Sequence, residues 1–461
     1  LLKINPFKFP KGIHILEHID RLVEIFNVCW PMYAAMPAVL KDALLQAYRV
    51  CGWNLVNSEN MYSDDLYPTF QDLLAELVDV IKNSAYSEEV KSNYMGSLVT
   101  RVKSLTNGLN GQIFAAKEIN NKILFDKKTI IDLSRIGSME TKSLIMGILI
   151  MRLSEYRMTS NYEMNQPLKH VTILEEAHNI LKKVSTEQNS EGANVAGKSV
   201  EMISNAIAEM RTYGEGFIIV DQSPSAVDIS AIRNTNTKII MRLPDEQDRR
   251  MAGKSAGLKD EQLDEIAKLP KGVAVVYQND WVEPVLCSIQ KFRGEEGRYQ
   301  YVFEGTEENA TALFKTKILE LLLKYRVNDP VDNDIDEVIE LLNDADIAVK
   351  NKLVLRKLLN TCKKTEDLPM WQDDNFEELS GVVTEILDGA LKTKSAIECS
   401  QDYDELTNRL MKYIAEETED LPRSFALAAS QCLMKNESVD NKESRDIYAA
   451  WITHLRNKSV L

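Results

Sequence analysis

The sequence predicts an α/β domain built on a mostly parallel sheet, followed by an α-helical domain. Three observations predict it: short apolar runs that end abruptly in polar residues, helical periodicity between those runs, and an acidic tail with helical signals and no strand between them. Thr129–Ser134 reads as a strand and Met139–Tyr156 as a helix with a broad apolar face. Val171-Thr172-Ile173-Leu174 is a strand of the fully buried type and runs straight into Glu175-Glu176-Ala177-His178. A polar loop, a helix over about Val200–Met210 and a second buried strand, Phe217–Val220, come next. Lys238–Leu243 and the β-rich segment Val273–Ile289 then continue the sheet.

In open α/β sheets, ligands bind beyond the carboxyl ends of the strands, where this chain places two adjacent carboxylates. That is the pattern of a Walker B strand in a RecA-like core. Glu175 would hold Mg²⁺ directly or through water, and Glu176 would orient or polarise the water that attacks the γ-phosphate of ATP. On this motif alone, a strand followed by an acid-rich helix start reads equally well, because Glu is favourable near a helix N-terminus. The strand Phe217–Val220 ends in Asp221-Gln222-Ser223-Pro224, which brings a neutral amide to the same sheet edge. Gln222 can sense a γ-phosphate without adding charge, or simply open a turn before Pro224.

The residues resemble the HerA-like ATPases of the HerA and FtsK superfamily, hexameric DNA-translocating motors. The resemblance runs from about Asn5 to Phe292. It rests on Leu174-Glu175-Glu176-Ala177-His178-Asn179, Arg211-Thr212-Tyr213-Gly214-Glu215-Gly216-Phe217, Asp221-Gln222-Ser223-Pro224 and Arg233-Asn234-Thr235-Asn236-Thr237. It implies that Glu176 is the catalytic glutamate, Glu175 the Mg²⁺-associated acid and Gln222 the sensor glutamine. Many relatives place Asp where Glu175 stands, one methylene shorter. Arg211, eleven positions before Gln222, is implied to be an arginine finger reaching a neighbouring subunit's ATP site. A guanidinium stays charged and binds phosphate oxygens bidentately. An arginine at a helix C-terminus also interacts favourably with the macrodipole, and sequence does not separate the two. Arg233 and Arg242 are weaker candidates for the finger.

Gly192-Ala193-Asn194-Val195-Ala196-Gly197-Lys198-Ser199 matches G-x-x-x-x-G-K-[ST] letter for letter. Its context argues against a phosphate-binding loop. Such a loop joins a buried strand to a helix, so that backbone N–H groups converge on phosphate. Here the preceding residues, Ser185–Glu191, are polar and the segment follows the Walker-B-like strand. In the family the loop precedes that strand, and Leu1–Phe7 resembles a strand and turn downstream of it. The chain therefore reads as the C-terminal part of a longer ATPase, with a degenerate ATPase kept as a scaffold as the rival account.

At 461 residues, two or three domains are expected. Residues 1–294 read as the ATPase core, with a helical insertion over about Glu17–Lys117 that includes Ala38–Tyr48, Phe70–Lys82 and Glu89–Leu105. Residues 295–461 read as an acidic α-helical accessory domain, with helices over Ala312–Tyr325, Asp336–Leu342, Ile347–Leu359, Phe376–Leu391, Tyr403–Ile414 and Ile447–Leu455. This tail holds 34 acidic and 21 basic residues, which is 13 of the 15 net negative charges, so it is unsuited to lying along phosphates. Six scattered cysteines without C-x-x-C spacing fit a reduced, cytoplasmic setting. His14 and His18 lack a third ligand and are read as surface or partly buried. No apolar run reaches the length of a membrane span.

Double-stranded DNA is the expected partner. Lys182, Lys183 and Lys198, in the segment Leu181–Ser199, are candidates to line a pore and track backbone phosphates, although a solvated linker fits equally. The resemblance implies an ATP-hydrolysing, DNA-translocating subunit of a hexamer, working with a nuclease or another effector in DNA processing or antiviral defence. A nonhydrolysing ring scaffold and a type IV secretion or conjugation ATPase are the alternatives.

Overall fold

The computed structural model describes residues 2–458 other than 31, 34, 64, 117, 161–164, 184–190, 295–309, 328–333, 346 and 441. The chain divides into two units: Leu1–Phe114 with Glu118–Gln300, and Ala115–Lys117 with Tyr301–Leu461.

The first unit opens with α1 (Ile15–Cys29), whose start is capped by the His14 ring accepting from the Leu16 N–H at 3.3 Å. α2 (Met36–Val50) carries Pro37 in its first turn, where a missing N–H costs nothing. A hairpin of β1 (Trp53–Asn54) and β2 (Glu59–Asn60) leads to α3 (Phe70–Asn83), which begins at a capping box of Thr69 and Asp72. α4 (Glu88–Tyr94), a π-turn at Met95–Val99 and α5 (Thr100–Leu105) form one helical run. Short helices α6 (Gly108–Ile113) and α7 (Asn121–Phe125) precede α8 (Met139–Ser160).

α8 is apolar on most sides and correspondingly buried, with Leu144, Ile145, Ile148 and Leu153 in the core. Three of its charged residues, Arg152, Glu155 and Arg157, are buried too, and each is paired. Arg152 meets Glu118 at 2.8 Å, and Glu155 meets His18 of α1 at 3.0 Å and Arg21 at 3.1 Å. His18 is fully buried, contrary to the surface or partly buried position read from sequence. Its Nδ1 faces Glu155, and its Nε2 faces the Pro6 carbonyl oxygen at 3.0 Å. Both ring nitrogens thus meet a polar partner in the interior. A fully buried polar ring is accommodated in the interior because its polar atoms are partnered.

β3 (His170–Glu175) and β4 (Glu215–Val220) are parallel neighbours, in register from His170 opposite Glu215 to Glu175 opposite Val220. Their connection includes α9 (Glu191–Glu209), the crossover a parallel pair requires. Val171 and Ile173 on β3, with Ile218 and Val220 on β4, share one face of this pair and are exposed. After α10 (Ile229–Asn234), β5 (Thr237–Ile240) pairs with β6 (Val273–Gln278), and β6 with β7 (Val285–Ser288).

The sheet departs from expectation in two places. Residues 129–134 form no strand: Ile130 is 96% exposed, and a run that buries no side chain gains nothing to offset the entropy of ordering it. The β5-β6-β7 sheet is antiparallel and, among the described residues, shares no hydrogen-bonded ladder with β3 and β4. Instead it closes a small core of its own, in which Ile240 and Val275 pack with Ala256, Leu258, Leu263 and Ile266 from the segment of α11 (Glu246–Ser255) and α12 (Asp260–Ile266).

Among the described residues, the regular elements of the second unit are all helical. It comprises α13 (Ala310–Val327), α14 (Ile335–Asp344), α15 (Val349–Thr365), α16 (Phe376–Leu387), α17 (Ala390–Cys399), α18 (Tyr403–Glu417), α19 (Arg423–Asp440) and α20 (Lys442–Asn457). Phe314, Ile318, Leu322, Leu410, Phe425 and Trp451 are fully buried in one core, and the Trp451 indole donates to Thr407 at 2.9 Å. The single helix expected over Phe376–Leu391 is broken: Asp388 adopts φ 52°, and Gly389 sits so close to α19 that a Cβ would stand 2.4 Å from Leu433. α19 itself is absent from the sequence reading, yet it packs on α13, α16, α17, α18 and α20. Its buried positions include Ala426, Ala428, Ala429 and Ser430, small residues that leave a weak apolar stripe.

Candidate active site

A strand that ends in polar residues hands them to whatever follows at the sheet edge. Because β3 and β4 are parallel and in register, Glu176 and Asp221-Gln222 emerge side by side. The structure joins them. Gln222 Nε2 donates to Glu176 Oε1 at 3.0 Å, so the two residues singled out for catalysis and sensing are in contact.

Glu176 has φ 51° and ψ 50°, the left-handed region that a residue with a Cβ rarely occupies. Such strain costs on the order of 1–3 kcal/mol and persists where neighbours over-determine it, often at functional sites. The neighbours here are plain. Asn179 donates to the Glu176 carbonyl oxygen through both its backbone N–H, at 3.0 Å, and its amide, at 2.8 Å. Asp221 Oδ2 accepts from the His178 backbone N–H at 2.8 Å and lies 2.9 Å from His178 Nδ1. Asp221 Oδ1 accepts from the Ser223 N–H at 2.8 Å. A nearly buried carboxylate thus ties the turn after β3 to the turn after β4. Since a carboxylate only accepts, Nδ1 is the protonated ring nitrogen of this contact.

Sequence reasoning missed His178 and Asp221. Both stood in quoted motifs, and the signal was their place: each lies within two residues of a chosen catalytic residue, on adjacent strand ends.

The other end of β3 and β4 is built differently. Glu215 is buried and accepts from Arg157 Nε at 3.0 Å, from Thr172 Oγ1 at 2.7 Å, and from His170 Nδ1 at 2.7 Å. Arg157 also meets Asp126 at 2.7 Å; burial works against its charge, but these two carboxylates outweigh it and hold the guanidinium above its usual range. Arg211 belongs to this end. It is exposed in the turn Met210–Tyr213, which Gly214 closes at φ 82°. The length of β4, at about 3.3 Å per residue, puts it roughly 20 Å from Gln222, so it does not join Glu176 within one chain.

The P-loop-like octad is not a loop. It lies within α9, and Ser199, whose hydroxyl would bind a metal in a working loop, is fully buried and hydrogen-bonded to Glu24 of α1. Lys198 is exposed on α9. Lys182 and Lys183 are exposed on a short bridged segment, where Lys183 N–H donates to Ala226 at 2.8 Å and Lys182 bridges Val227. The stretch 184–190 and the side chains of residues 191–196, part of the proposed DNA-contacting segment, lie outside the described residues.

Measured against ATP and Mg²⁺, the described residues fit one half of such a site. Mg²⁺ takes oxygen ligands and keeps several waters, and Glu175 offers an exposed carboxylate at the sheet edge. No phosphate cradle accompanies it among the described residues. Their helices include none long and apolar enough to cross a membrane.

No protein-family model matches the chain. It is 23% identical over 301 residues to a DNA double-strand break repair helicase HerA of Sulfurisphaera tokodaii, covering 62% of this chain and 58% of that protein. Over 215 residues it is 25% identical to the HerA helicase of Sulfolobus acidocaldarius, covering 46% and 40%. The HerA helicase of Pyrococcus furiosus is 23% identical over 327 residues, covering 63% and 59%. The chain therefore spans about half the length of the curated relatives it matches. Among solved structures, VirB4 of Thermoanaerobacter pseudethanolicus aligns with a TM-score of 0.46 at 15% identity, over 63% of this chain and 74% of that one. A likeness that loose carries no argument about function.

Proposed function

We propose, taking as premise the chain's similarity to HerA-type ATPases of the HerA/FtsK superfamily, that residues 1–294 supply the water-activating edge of an ATP-hydrolysing DNA motor. The observation that carries this reading is the contact between Glu176, held in a left-handed conformation, and Gln222 on the neighbouring strand end. Strain fixed by Asn179 and by the Asp221–His178 tie keeps the carboxylate at one place. The Glu176 carboxylate orients and polarises the attacking water, and Gln222 couples that carboxylate to the state of the γ-phosphate. ATP brings the phosphoanhydride to be cleaved, with Mg²⁺ neutralising phosphate charge and Glu175 as its protein-side acid.

The phosphate-binding half of the site belongs outside the described residues. The exposed apolar face of Val171, Ile173, Ile218 and Val220 supports this, because parallel sheets are ordinarily covered on both faces. The exposed Arg211, at the far end of β4, suits a finger offered to a second subunit, and so a ring, a hexamer by analogy with the family. In this reading the ring sits in the cytoplasm, encloses double-stranded DNA, contacts it through Lys182, Lys183 and Lys198, and works with a nuclease or defence effector.

A second reading, a nonhydrolysing ring scaffold, is favoured by one observation: the sole P-loop-like sequence is helical, with its Ser199 buried on Glu24. ATP turnover by the intact gene product, with and without double-stranded DNA, separates the two when wild type and Glu176→Gln are compared at matched assembly. DNA-stimulated turnover that Glu176→Gln abolishes supports the motor. A formed ring without turnover supports the scaffold.

A further inference from the structure

The geometry points to a transition-metal site formed by Glu176, His178 and Asp221, distinct from the Mg²⁺-associated role given to Glu175. One donor atom from each of the three residues lies within 4.8 Å of the others, a grouping that stands alone among the described residues. His178 Nδ1 is 2.9 Å from Asp221 Oδ2 and 3.6 Å from Glu176 Oε2. Donors held by one ion at about 2.0–2.2 Å stand about 2.8–3.6 Å apart at octahedral to tetrahedral angles. The two measured separations match that spacing without rearranging the backbone.

The surroundings are those of a metal ligand set. Asp221 is 6% exposed and fixed by the Ser223 and His178 backbone N–H groups, while Glu176 is held through its other oxygen by Gln222. Glu176 and His178 are 48% and 31% exposed, so the remaining coordination positions open to solvent. Two carboxylates and one imidazole suit a manganese(II)-class ion, and the imidazole gives such an ion an advantage over Mg²⁺, which prefers oxygen. Binding needs the Nδ1 lone pair, so the ring then carries its proton on Nε2 and the ion takes the place of the Nδ1 proton. Where the hydrolytic reading also holds, the ion occupies the carboxylate that activates water, so this site would restrain turnover.

The test uses Mn²⁺ alone, without nucleotide, on the 461-residue chain, so its outcome is independent of ATP hydrolysis. Calorimetry is expected to show one site that His178→Ala weakens at least tenfold and Asp221→Asn weakens markedly. In ¹⁵N-histidine spectra, Mn²⁺ is expected to broaden His178 first among the five histidines. His178→Gln serves in place of His178→Ala if the latter does not fold. Equal Mn²⁺ affinity in wild type and a folded His178 variant overturns the proposal, as does broadening that spares His178.

Discussion

The two ends of the β3–β4 pair use the same chemical groups for opposite purposes. At the amino end, Glu215 is buried, and Arg157, Thr172 and His170 occupy both its oxygens. At the carboxyl end, Glu176 is half exposed, strained, and held on one side chain oxygen by Gln222. A glutamate and a histidine mark both ends, so residue type does not tell them apart. Satisfaction does. A buried carboxylate with both oxygens hydrogen-bonded is fixed in place and holds the fold, whereas one left partly open in a constrained backbone can still bind or activate something.

Breaking the closed end gives the largest stability change. Glu215→Ala leaves Arg157 buried at a lost partner, and urea unfolding should show a loss of about 3–5 kcal/mol. Glu176→Ala, measured the same way, should stay within about 1 kcal/mol, because it removes an exposed group. Equal losses at the two ends would erase the distinction between them.

The buried pair on α1 and α8 extends the comparison to pH. Burial disfavours the Glu155 carboxylate, but the charge and hydrogen bond of His18, with Arg21 beside them, hold its carboxyl below the usual range. A depressed folded-state value means the stabilisation is complete above the unfolded value, about 4.3, and is lost as pH falls through the lower folded one. Urea midpoints recorded downward from pH 6 should fall across that acid window, and Glu155→Gln should flatten this part of the profile.

The smallest effect on turnover concerns the P-loop-like octad. Ser199→Ala removes one buried hydrogen bond to Glu24 and should cost about 1–3 kcal/mol in unfolding. Turnover per folded molecule of the intact gene product should remain within about twofold. A loss of turnover at full folding would restore a phosphate-binding role to the octad.

Much of this site was legible in the sequence because strands announce themselves. An apolar run ending in polar groups located β3 and β4, and parallel pairing then brought Glu176 and Gln222 together without further information. What stayed hidden depended on pairing across long separations. Nothing local distinguishes Glu215, paired with an arginine 58 positions earlier, from any glutamate after a glycine. Nor does His18 reveal that its buried partner is Glu155, 137 positions on. Thr129–Ser134 carries a strand-like pattern but finds no ladder, since a strand is defined by its neighbour and not by its own composition. α19 escaped for the opposite reason: a helix surrounded by five others buries small residues around its circumference and loses the one-sided stripe that periodicity detects.

The central claim is that Glu176 and Gln222 act as one unit at the open end. A double-mutant cycle on the turnover of the assembled, intact gene product tests it most directly, with Glu176→Gln, Gln222→Ala and the combination compared. Residues that work together in one step are strongly non-additive, so each single variant should lose about 10²-fold or more and the double little beyond the worse single. Losses that multiply would show two independent groups and contradict the account.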